Sequence, residues 1–267
     1  MICQKFYILL VTSWLCLFCV AGLRVRFAEA QGQAFNPSTD PASIKILEQM
    51  DSYLSPIEAF SFQIDVTDQF LTDNGEMLEI KKEAVLTVQR PNRLKAEVKI
   101  KEPQRERTFY YNGETITLYD KTENLYAQIK APDTSEKALD YAMSDLGFTF
   151  PVVDFIFKNL KRNLTENVIT SDYLGESVLK GRPAHQLVFH QDKIDWYLWI
   201  DSWKEPVPRK ILIVYKNDPR RSKFIAEFTK FKPLTKISEE TFNFKPPKEA
   251  EQIEFLPVEK QDNEETP

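Results

Sequence analysis

The stretch LTVQRPNRLKAEVKI, residues 86–100, carries the pattern that decides the fold. A turn at Arg90-Pro91-Asn92-Arg93 separates two runs, and in the second run apolar and charged side chains alternate, with Leu94, Ala96, Val98 and Ile100 set against Lys95, Glu97 and Lys99. Side chains of a strand point alternately to its two faces. The alternation therefore predicts an antiparallel sheet with one dry face and one wet face.

The same period of two continues on both sides of this stretch. Phe60, Phe62, Ile64 and Val66 form one dry series, and Leu78, Ile80, Ala84, Leu86 and Val88 form the next. Further strands are predicted from Tyr173 to Phe231, after a central helical region. Strands that follow one another without crossover helices exclude a parallel α/β fold.

Residues 109–119, FYYNGETITLY, predict a hairpin with bulky rings on both faces. Asn112-Gly113 favours a two-residue type I′ turn, which would place Tyr111 opposite Glu114. One face then carries Phe109, Ile116 and Leu118, and the other carries Tyr110 and Tyr119. Rings on the second face are either ordinary cross-strand partners of a solvated face, or they indicate that the hollow is not fully filled or that the convex face packs on something.

Helices are predicted at two places. Asp40 can cap a first helix with Pro41 at its first position, and Thr134 or Ser135 can cap a second that runs through Met143. A very apolar segment, which includes Phe155, follows Pro151. The predicted fold is mostly β (α+β): a strongly curved antiparallel sheet that forms an incomplete β-barrel of about ten to eleven strands, with helices covering its concave side.

The N-terminal thirty residues have the pattern of a secretory signal peptide. Lys5 precedes an uncharged apolar run from Phe6 to Leu23, and Ala28-Glu29-Ala30 matches a cleavage site. We therefore expect export to the periplasm with cleavage near Ala30. A retained membrane anchor is the alternative, because the run approaches the roughly 20 residues that span a bilayer.

Composition narrows the class of the exported chain. All three cysteines lie in the leader, which excludes disulfides, a thiol enzyme and a thiolate metal site from the rest. Removing the three basic residues and the one acidic residue of the leader changes the formal charge from −5 to −7, which disfavours nucleic acid as a partner. We expect a signal peptide over 1–30, a linker over 31–39, one domain over 40–256 and an acidic disordered tail over 257–267.

No catalytic constellation is evident in the sequence. His185 and His190 lie five residues apart on one predicted strand, so they point to opposite faces and cannot share a metal. Asp195 and Asp201 lie at the two ends of another strand, about 20 Å apart at a rise of ~3.3 Å per residue. We therefore predict a non-enzymatic protein with no cofactor and no bound metal.

An aromatic-rich exported β protein without a catalytic site is better suited to binding than to catalysis. Pockets for lipids are large, apolar and sparing in polar groups. The residues expected to bind such a ligand are those of the dry face and the central apolar segment: Phe60, Phe62, Ile64, Leu94, Ala96, Val98, Phe109, Ile116, Leu118 and Phe155.

Several motifs resemble those of a known superfamily. Arg90-Pro91, the hairpin that ends in Leu118-Tyr119-Asp120, and Phe242-Asn243-Phe244-Lys245-Pro246-Pro247 resemble, in this order, the family of the periplasmic lipoprotein carrier LolA. Over roughly residues 40–256 the chain is more similar to a family of predicted periplasmic proteins, domain of unknown function 2092. The shared residues are Arg90-Pro91-x-Arg93-Leu94, the Tyr-Asn-Gly hairpin, Asp195-Trp196 with Trp199-Ile200, and Pro208-Arg209-Lys210.

The resemblance implies an incomplete barrel with a helical lid over an apolar cavity. It also implies that Arg90 hydrogen-bonds the backbone of the lid and latches it, although a strand-end arginine that only caps a turn is an equal alternative. The expected function is a soluble periplasmic carrier or binder of a lipid or other hydrophobic molecule, monomeric, with a possible membrane-bound donor or acceptor protein. The alternative is a structural or interaction module of the envelope with a filled core.

Overall fold

The computed structural model of the chain describes residues 39–132, 134–146 and 152–255. The predicted signal peptide, the predicted linker up to residue 38, the predicted tail over 257–267 and the predicted helix-ending Gly147 lie outside the described residues. The domain bounds proposed from the sequence remain predictions.

The described chain contains three α-helices, twelve strands and two short 3₁₀ turns. Their bounds in chain order are α1 Pro41–Leu54, β1 Ala59–Leu71, β2 Met77–Gln89, β3 Arg93–Ile100, β4 Arg105–Tyr111, β5 Thr115–Asp120, β6 Leu125–Lys130, α2 Ser135–Ser144, a 3₁₀ turn at Val153–Phe155, α3 Leu160–Thr165, β7 Thr170–Leu179, β8 Arg182–His190, β9 Ile194–Asp201, β10 Pro208–Tyr215, β11 Lys223–Pro233, a second 3₁₀ turn at Glu239–Thr241, and β12 Glu251–Ile253.

All twelve strands belong to one curved, unclosed sheet in the order β12-β6-β5-β4-β3-β2-β1-β11-β10-β9-β8-β7. Every neighbouring pair is antiparallel except β12 and β6, which run parallel. The two antiparallel blocks join where β1 pairs with β11. The mostly β, incomplete-barrel prediction is confirmed, while the predicted strand number is too low by at least one because the three residues of β12 are too few to show a period of two.

The first helix follows from its capping residues and its apolar spacing. The Asp40 carboxylate accepts a hydrogen bond from the Ala42 N–H at 2.9 Å, and proline occupies the first helical position, as predicted. Its buried face consists of Ser43, Ile46, Leu47, Met50 and Leu54. This face packs on the concave side of the sheet, within one hydrophobic core that also contains Phe155, Leu160 and Leu164.

The hairpin turn differs from its prediction by two residues in register. Tyr111 lies opposite Ile116, so Gly113 and Glu114 are the central residues of the turn, and Gly113 alone of the predicted turn pair has a positive φ, +93°. The reason is the Asn112 side chain, whose carbonyl accepts the N–H groups of Glu114 and Thr115 at 3.0 and 2.9 Å. The shift is even, so the faces stay as predicted.

The second face of this hairpin is covered by the chain that follows β11. The Phe244 ring packs against three tyrosines, with ring centroids 5.5 Å from Tyr110, 5.2 Å from Tyr119 and 5.1 Å from Tyr126. The rings outside the concave face therefore hold a C-terminal strap, which we define as residues 234–255. The segment Phe242–Phe244 is not a strand: it follows a 3₁₀ turn and packs the Phe244 ring against the tyrosines of the sheet.

The central apolar segment forms less helix than its composition suggested. Its regular structure in the described part is the single 3₁₀ turn at Val153–Phe155, and α3, which the sequence analysis did not predict, follows it. Phe155 is buried and packs edge-on against Phe228 of β11, with centroids 5.2 Å apart.

Candidate functional site

A half-open cavity of about 600 Å³ lies in the hollow of the sheet, at the end where β1 and β2 extend past β3. Its wall is formed mainly by the concave-face side chains of β1 and β2, and by residues 215–224 at the end of β10 and the start of β11. Val152, just before the 3₁₀ turn of the central segment, lies over it. The volume is within the range of roughly 300–1,000 Å³ that is usual for small-molecule sites.

Three of the ten residues predicted to bind a ligand line this cavity, namely Ile64, Ala96 and Val98. Six others are part of the packed core instead: Phe60, Phe62, Leu94, Phe109, Ile116 and Phe155. Phe62, for example, contacts Phe228 and Phe231 with centroids 5.2 and 5.0 Å apart. Leu118 lies opposite Phe109 on the same face and is half-buried. The hollow is thus filled beneath the helices and vacant at one end.

The cavity wall includes an ion pair among apolar side chains. Asp68 of β1 and Lys82 of β2 lie in phase with the concave-face residues of their strands, and the Lys82 Nζ is 2.5 Å from the Asp68 Oδ2. The side chains are only 29% and 30% exposed, respectively. Tyr215 lies nearby, where burial and the charge of Asp68 both raise the pKa of its phenol. These groups form a polar cluster in a pocket whose walls are mostly apolar.

The mouth of the cavity has a second, weaker ion pair. The Arg220 Nε lies 3.5 Å from the Asp218 Oδ1, and its guanidinium lies over the Phe70 ring at 5.6 Å from the centroid. Lys223 also borders the cavity, but it alternates with the buried Phe224 and lies opposite Gln69, so its side chain belongs to the other face.

Arg90 connects the sheet to the two segments that cover the hollow. It is 8% exposed, and its guanidinium lies 5.0 Å from the centroid of the Phe60 ring. Its nitrogens donate to five backbone carbonyls: Leu54 at 2.8 Å, Ser55 at 3.3 Å, Ile57 at 2.8 Å, Ile156 at 2.8 Å and Phe157 at 2.8 Å. The first three carbonyls end α1, and the last two belong to the central segment that follows the 3₁₀ turn.

A smaller pocket of about 210 Å³ adjoins Arg90 between the β2–β3 turn, α2 and the central segment. The side-chain oxygen of Gln89 is buried beside it and accepts no hydrogen bond from the described residues. Across the pocket, Lys158 pairs with Glu58 at 2.6 Å. Within the described chain this pocket shares no lining residue with the larger cavity, so the two are separate spaces.

Asp154 lies on the 3₁₀ turn of the central segment and is half-buried. Burial raises the pKa of its carboxyl group. No residue of the described chain donates a hydrogen bond to it, so its ionised form is poorly compensated.

The remaining polar candidates do not form one site. His185 contacts the Tyr173 hydroxyl at 3.0 Å through its Nδ1, whereas His190 pairs with Asp195 at 2.8 Å on the opposite face. Asp201 accepts the backbone N–H groups of the following turn. Within the described residues, no group of three or more acidic, histidine or cysteine side chains is arranged to hold a metal ion.

Sequence reasoning missed the Asp68–Lys82 pair and Tyr215, although one signal was present. Lys82 is a charged residue in phase with the apolar Ile80 and Ala84, and Asp68 likewise falls between Val66 and Phe70. A charge at a dry-face position indicates either the end of the core or a polar group inside it. The cavity residues of β10 and β11 lie in a different block of the chain, and no local pattern connects them with β1.

In the described chain, no helix combines the length and the apolar character that crossing a bilayer requires.

The fold and the cavity define a class: an open, curved, mostly antiparallel sheet with helices in its hollow and an apolar pocket at one end. Residues 43–256 match a family model described as predicted periplasmic protein (DUF2092), and the chain belongs to this family. No curated protein sequence matches the chain.

Solved structures similar to the chain have low sequence identity. An uncharacterized conserved protein from Thermus thermophilus is 14% identical, with a TM-score of 0.43, over 80% of this chain and 99% of that one. The Mycobacterium tuberculosis lipoprotein LppX is 12% identical, with a TM-score of 0.45, over 75% of this chain and 100% of that one. A putative outer membrane lipoprotein-sorting protein domain from Vibrio parahaemolyticus is 9% identical, with a TM-score of 0.37, over 76% and 96%.

Proposed function

We propose that this protein is a non-enzymatic periplasmic carrier or binding protein that holds the apolar part of a lipid or similar molecule in the cavity at the end of β1 and β2. The supporting observation is the half-open hollow of about 600 Å³, whose walls are mostly apolar. Protein interiors are normally close-packed, with few voids larger than a water molecule. A mostly apolar hollow that opens to the outside is therefore better explained by the binding of a ligand than by the requirements of folding.

Burial of an acyl chain provides enough free energy for useful affinity. Each buried methylene contributes about 0.8 kcal/mol, so ten of them contribute about 8 kcal/mol, equivalent to a Kd near 1 μM before the unfavourable entropy of association. Such binding needs no catalytic group. The ion pairs at the wall and the mouth can face the polar end of the molecule while its chain lies against Ile64, Ala84 and Val98.

The lid role of Arg90 belongs to the same proposal. By bonding carbonyls at the end of α1 and in the central segment, Arg90 fixes the two pieces of chain that cover the filled part of the hollow. Movement of the central segment, which also places Val152 over the cavity, would widen the entrance for loading or release. Delivery would require a membrane or membrane-bound partner at this open end.

The experiment is binding of an apolar fluorescent probe, followed by displacement with alkyl compounds of increasing chain length. Protein isolated from the periplasm and examined by native mass spectrometry should carry a lipid-sized adduct. Affinity should increase with chain length, by at most about fourfold per methylene, which is the equivalent of 0.8 kcal/mol. Failure to bind any probe, together with recovery of bare protein, would refute the proposal.

A pair of valine variants localises the site. Val66→Trp places a large side chain into the cavity and should abolish probe binding. Val85→Trp on the other face of the neighbouring strand is the matched control and should bind as the parent protein does. Equal binding by both variants would place the ligand elsewhere.

A filled interaction module is the second candidate, and one observation favours it. Six of the ten predicted ligand residues are packed in the core beneath the helices, where the rings contact one another. This candidate predicts that the parent protein and both valine variants fail to bind the apolar probe and that the periplasmic protein carries no adduct.

A further inference from the structure

The polar groups of the cavity indicate which kind of amphiphile it accepts, an inference that rests on the proposed function. Of the three cationic residues that line the cavity in the described chain, Lys82 and Arg220 each have their own carboxylate, and the third, Lys223, alternates with the buried Phe224 and directs its side chain to the other face of the sheet. Lys82 pairs with Asp68 at 2.5 Å, and Arg220 lies 3.5 Å from Asp218. The wall and the mouth are therefore charge-balanced before any ligand enters.

The inner pair is the one that a ligand must meet. Asp68 and Lys82 lie on the concave face, each less than one-third exposed, with apolar neighbours before and after them on the same face of their strands. An ammonium has three donors and a carboxylate has about four acceptor positions, and their mutual contact uses only part of these. The pair therefore presents both donors and acceptors to the cavity, and the Tyr215 hydroxyl lies beside it.

We infer that the cavity selects an amphiphile whose polar end has no net charge and both donates and accepts hydrogen bonds, such as the hydroxyl and ester groups of a glycerol monoester, and that the Asp68–Lys82 pair is its anchor. A carboxylate head would compete with Asp68 for Lys82 and would lie beside a like charge. An ammonium head would meet the same repulsion from Lys82. Juxtaposed like charges in a partly buried site disfavour binding strongly.

The test compares three compounds of equal chain length, a monoacylglycerol, a fatty acid and an alkylammonium, by displacement of the same apolar probe from the full-length protein. We expect the monoacylglycerol to bind at least about tenfold tighter than either charged compound, because like-charge contact in the site is unfavourable. Equal affinity of the three compounds, with the chain-length dependence preserved, would overturn the head-group inference and leave the proposed function standing. Absence of binding by all three would overturn both.

Variants of the pair separate its role from that of the rest of the cavity. Asp68→Asn leaves Lys82 without its carboxylate and should shift the preference toward the fatty acid by about tenfold, whereas Lys82→Met should shift it toward the alkylammonium. The exchange Asp68→Lys with Lys82→Asp restores balance and should restore the preference for the neutral compound. If the parent's preference persists unchanged in both single variants, the pair is not the anchor.

The matched control removes a carboxylate from the other face of β2, the strand that carries Lys82. Glu83 pairs with Lys101 at 2.8 Å, outside the cavity. Glu83→Gln should leave the order of the three affinities unchanged. A shift as large as that of Asp68→Asn would indicate a long-range effect of net charge and would overturn the assignment to the cavity pair. Should one single variant fail to fold, the other and the double exchange still decide the result.

Discussion

Replacing Arg90 with methionine tests whether this one side chain holds the cover of the hollow onto the sheet. Methionine keeps much of the apolar stem but loses every donor of the guanidinium. In the parent protein these donors reach five carbonyls from two separate parts of the chain, at the end of α1 and after the 3₁₀ turn.

The expected loss in the free energy of unfolding depends on how many carbonyls lose their hydrogen bonds at positions that water cannot reach. Two of the five bonds, those to Leu54 and Ile156, are buried, and the other three are partly buried. An unpaired buried group costs about 1–3 kcal/mol, so the two buried carbonyls alone predict a loss of about 2–6 kcal/mol. Burial of the guanidinium is itself unfavourable: it lowers the pKa of Arg90, although the charges of Glu58 and Asp51 act in the opposite direction. The methionine variant avoids this desolvation cost, which offsets part of the loss. We expect a net loss of about 3 kcal/mol, which is a large fraction of a typical 5–15 kcal/mol.

The assay is equilibrium urea unfolding, with the free energy of unfolding obtained from the midpoint and the slope. Arg93→Met is the matched control, because Arg93 follows in the same turn but is paired with the exposed Glu239 at 3.3 Å. Exposed ion pairs contribute about 0–1 kcal/mol, so the control should lose no more than that. Arg90→Lys should resemble methionine, since one ammonium cannot span both segments. Equal destabilisation by the Arg90 and Arg93 variants would refute the latch reasoning.

Three further outcomes are expected elsewhere in the molecule. Phe244→Ala should lower the free energy of unfolding by about 2 kcal/mol, less than the 3–5 kcal/mol of a fully buried ring, because Phe244 is half-buried. It should also raise the rate of amide exchange in β12, whereas Lys245→Ala at the next position should change neither quantity. Gly113→Ala should destabilise the hairpin by about 1 kcal/mol or more, because the residue has φ +93° and an added Cβ would lie 2.7 Å from the Asn92 side chain; unchanged thermal unfolding would contradict this. Asp154→Asn should stabilise the protein at neutral pH and have little effect near pH 4. Burial raises the folded-state pKa of the Asp154 carboxyl, so the free energy of unfolding falls as pH rises from the unfolded pKa of about 3.9 through the folded pKa. Equal gains in the free energy of unfolding at both pH values would contradict this reasoning.

The sequence predicted the strands well because a half-buried sheet repeats its signal every second residue. The series that begins at Phe60 and the one that begins at Leu94 each predicted a strand that the structure contains. The predicted hairpin register was wrong for a local reason. The Asn112 side chain accepts hydrogen bonds from N–H groups of its own turn, and Asn112 does not adopt the positive φ that a type I′ turn requires. The strap, which includes β12, was not predicted because it is held by contacts with strands distant in sequence and has no periodic pattern of its own.

The candidate site was less accessible to sequence than the fold. Alternation identifies the face on which an apolar side chain lies, but it does not distinguish a packed position from one that borders a void. Phe62 and Ile64 belong to one unbroken series, and yet Phe62 is enclosed by rings while Ile64 borders the cavity. That difference depends on where the covering helices end, which is a property of the whole assembly of elements.

The position of the cavity follows from unequal lengths of strand and cover. β1 and β2 are thirteen residues each and pair along their whole length, whereas β3 accompanies β2 only from Gln89 back to Lys82. At the other end of β1 the buried rings meet α1 and the central segment, and there the interior is filled. Past Lys82 the concave side of the two strands still carries Ile80 and Phe70, and these side chains line the hollow. Shortening the β1–β2 hairpin by paired deletions should therefore reduce the apolar wall without disturbing the core. It should weaken binding of the apolar ligand more than it lowers the free energy of unfolding, whereas in a filled interaction module it would lower the free energy of unfolding with no ligand binding to lose.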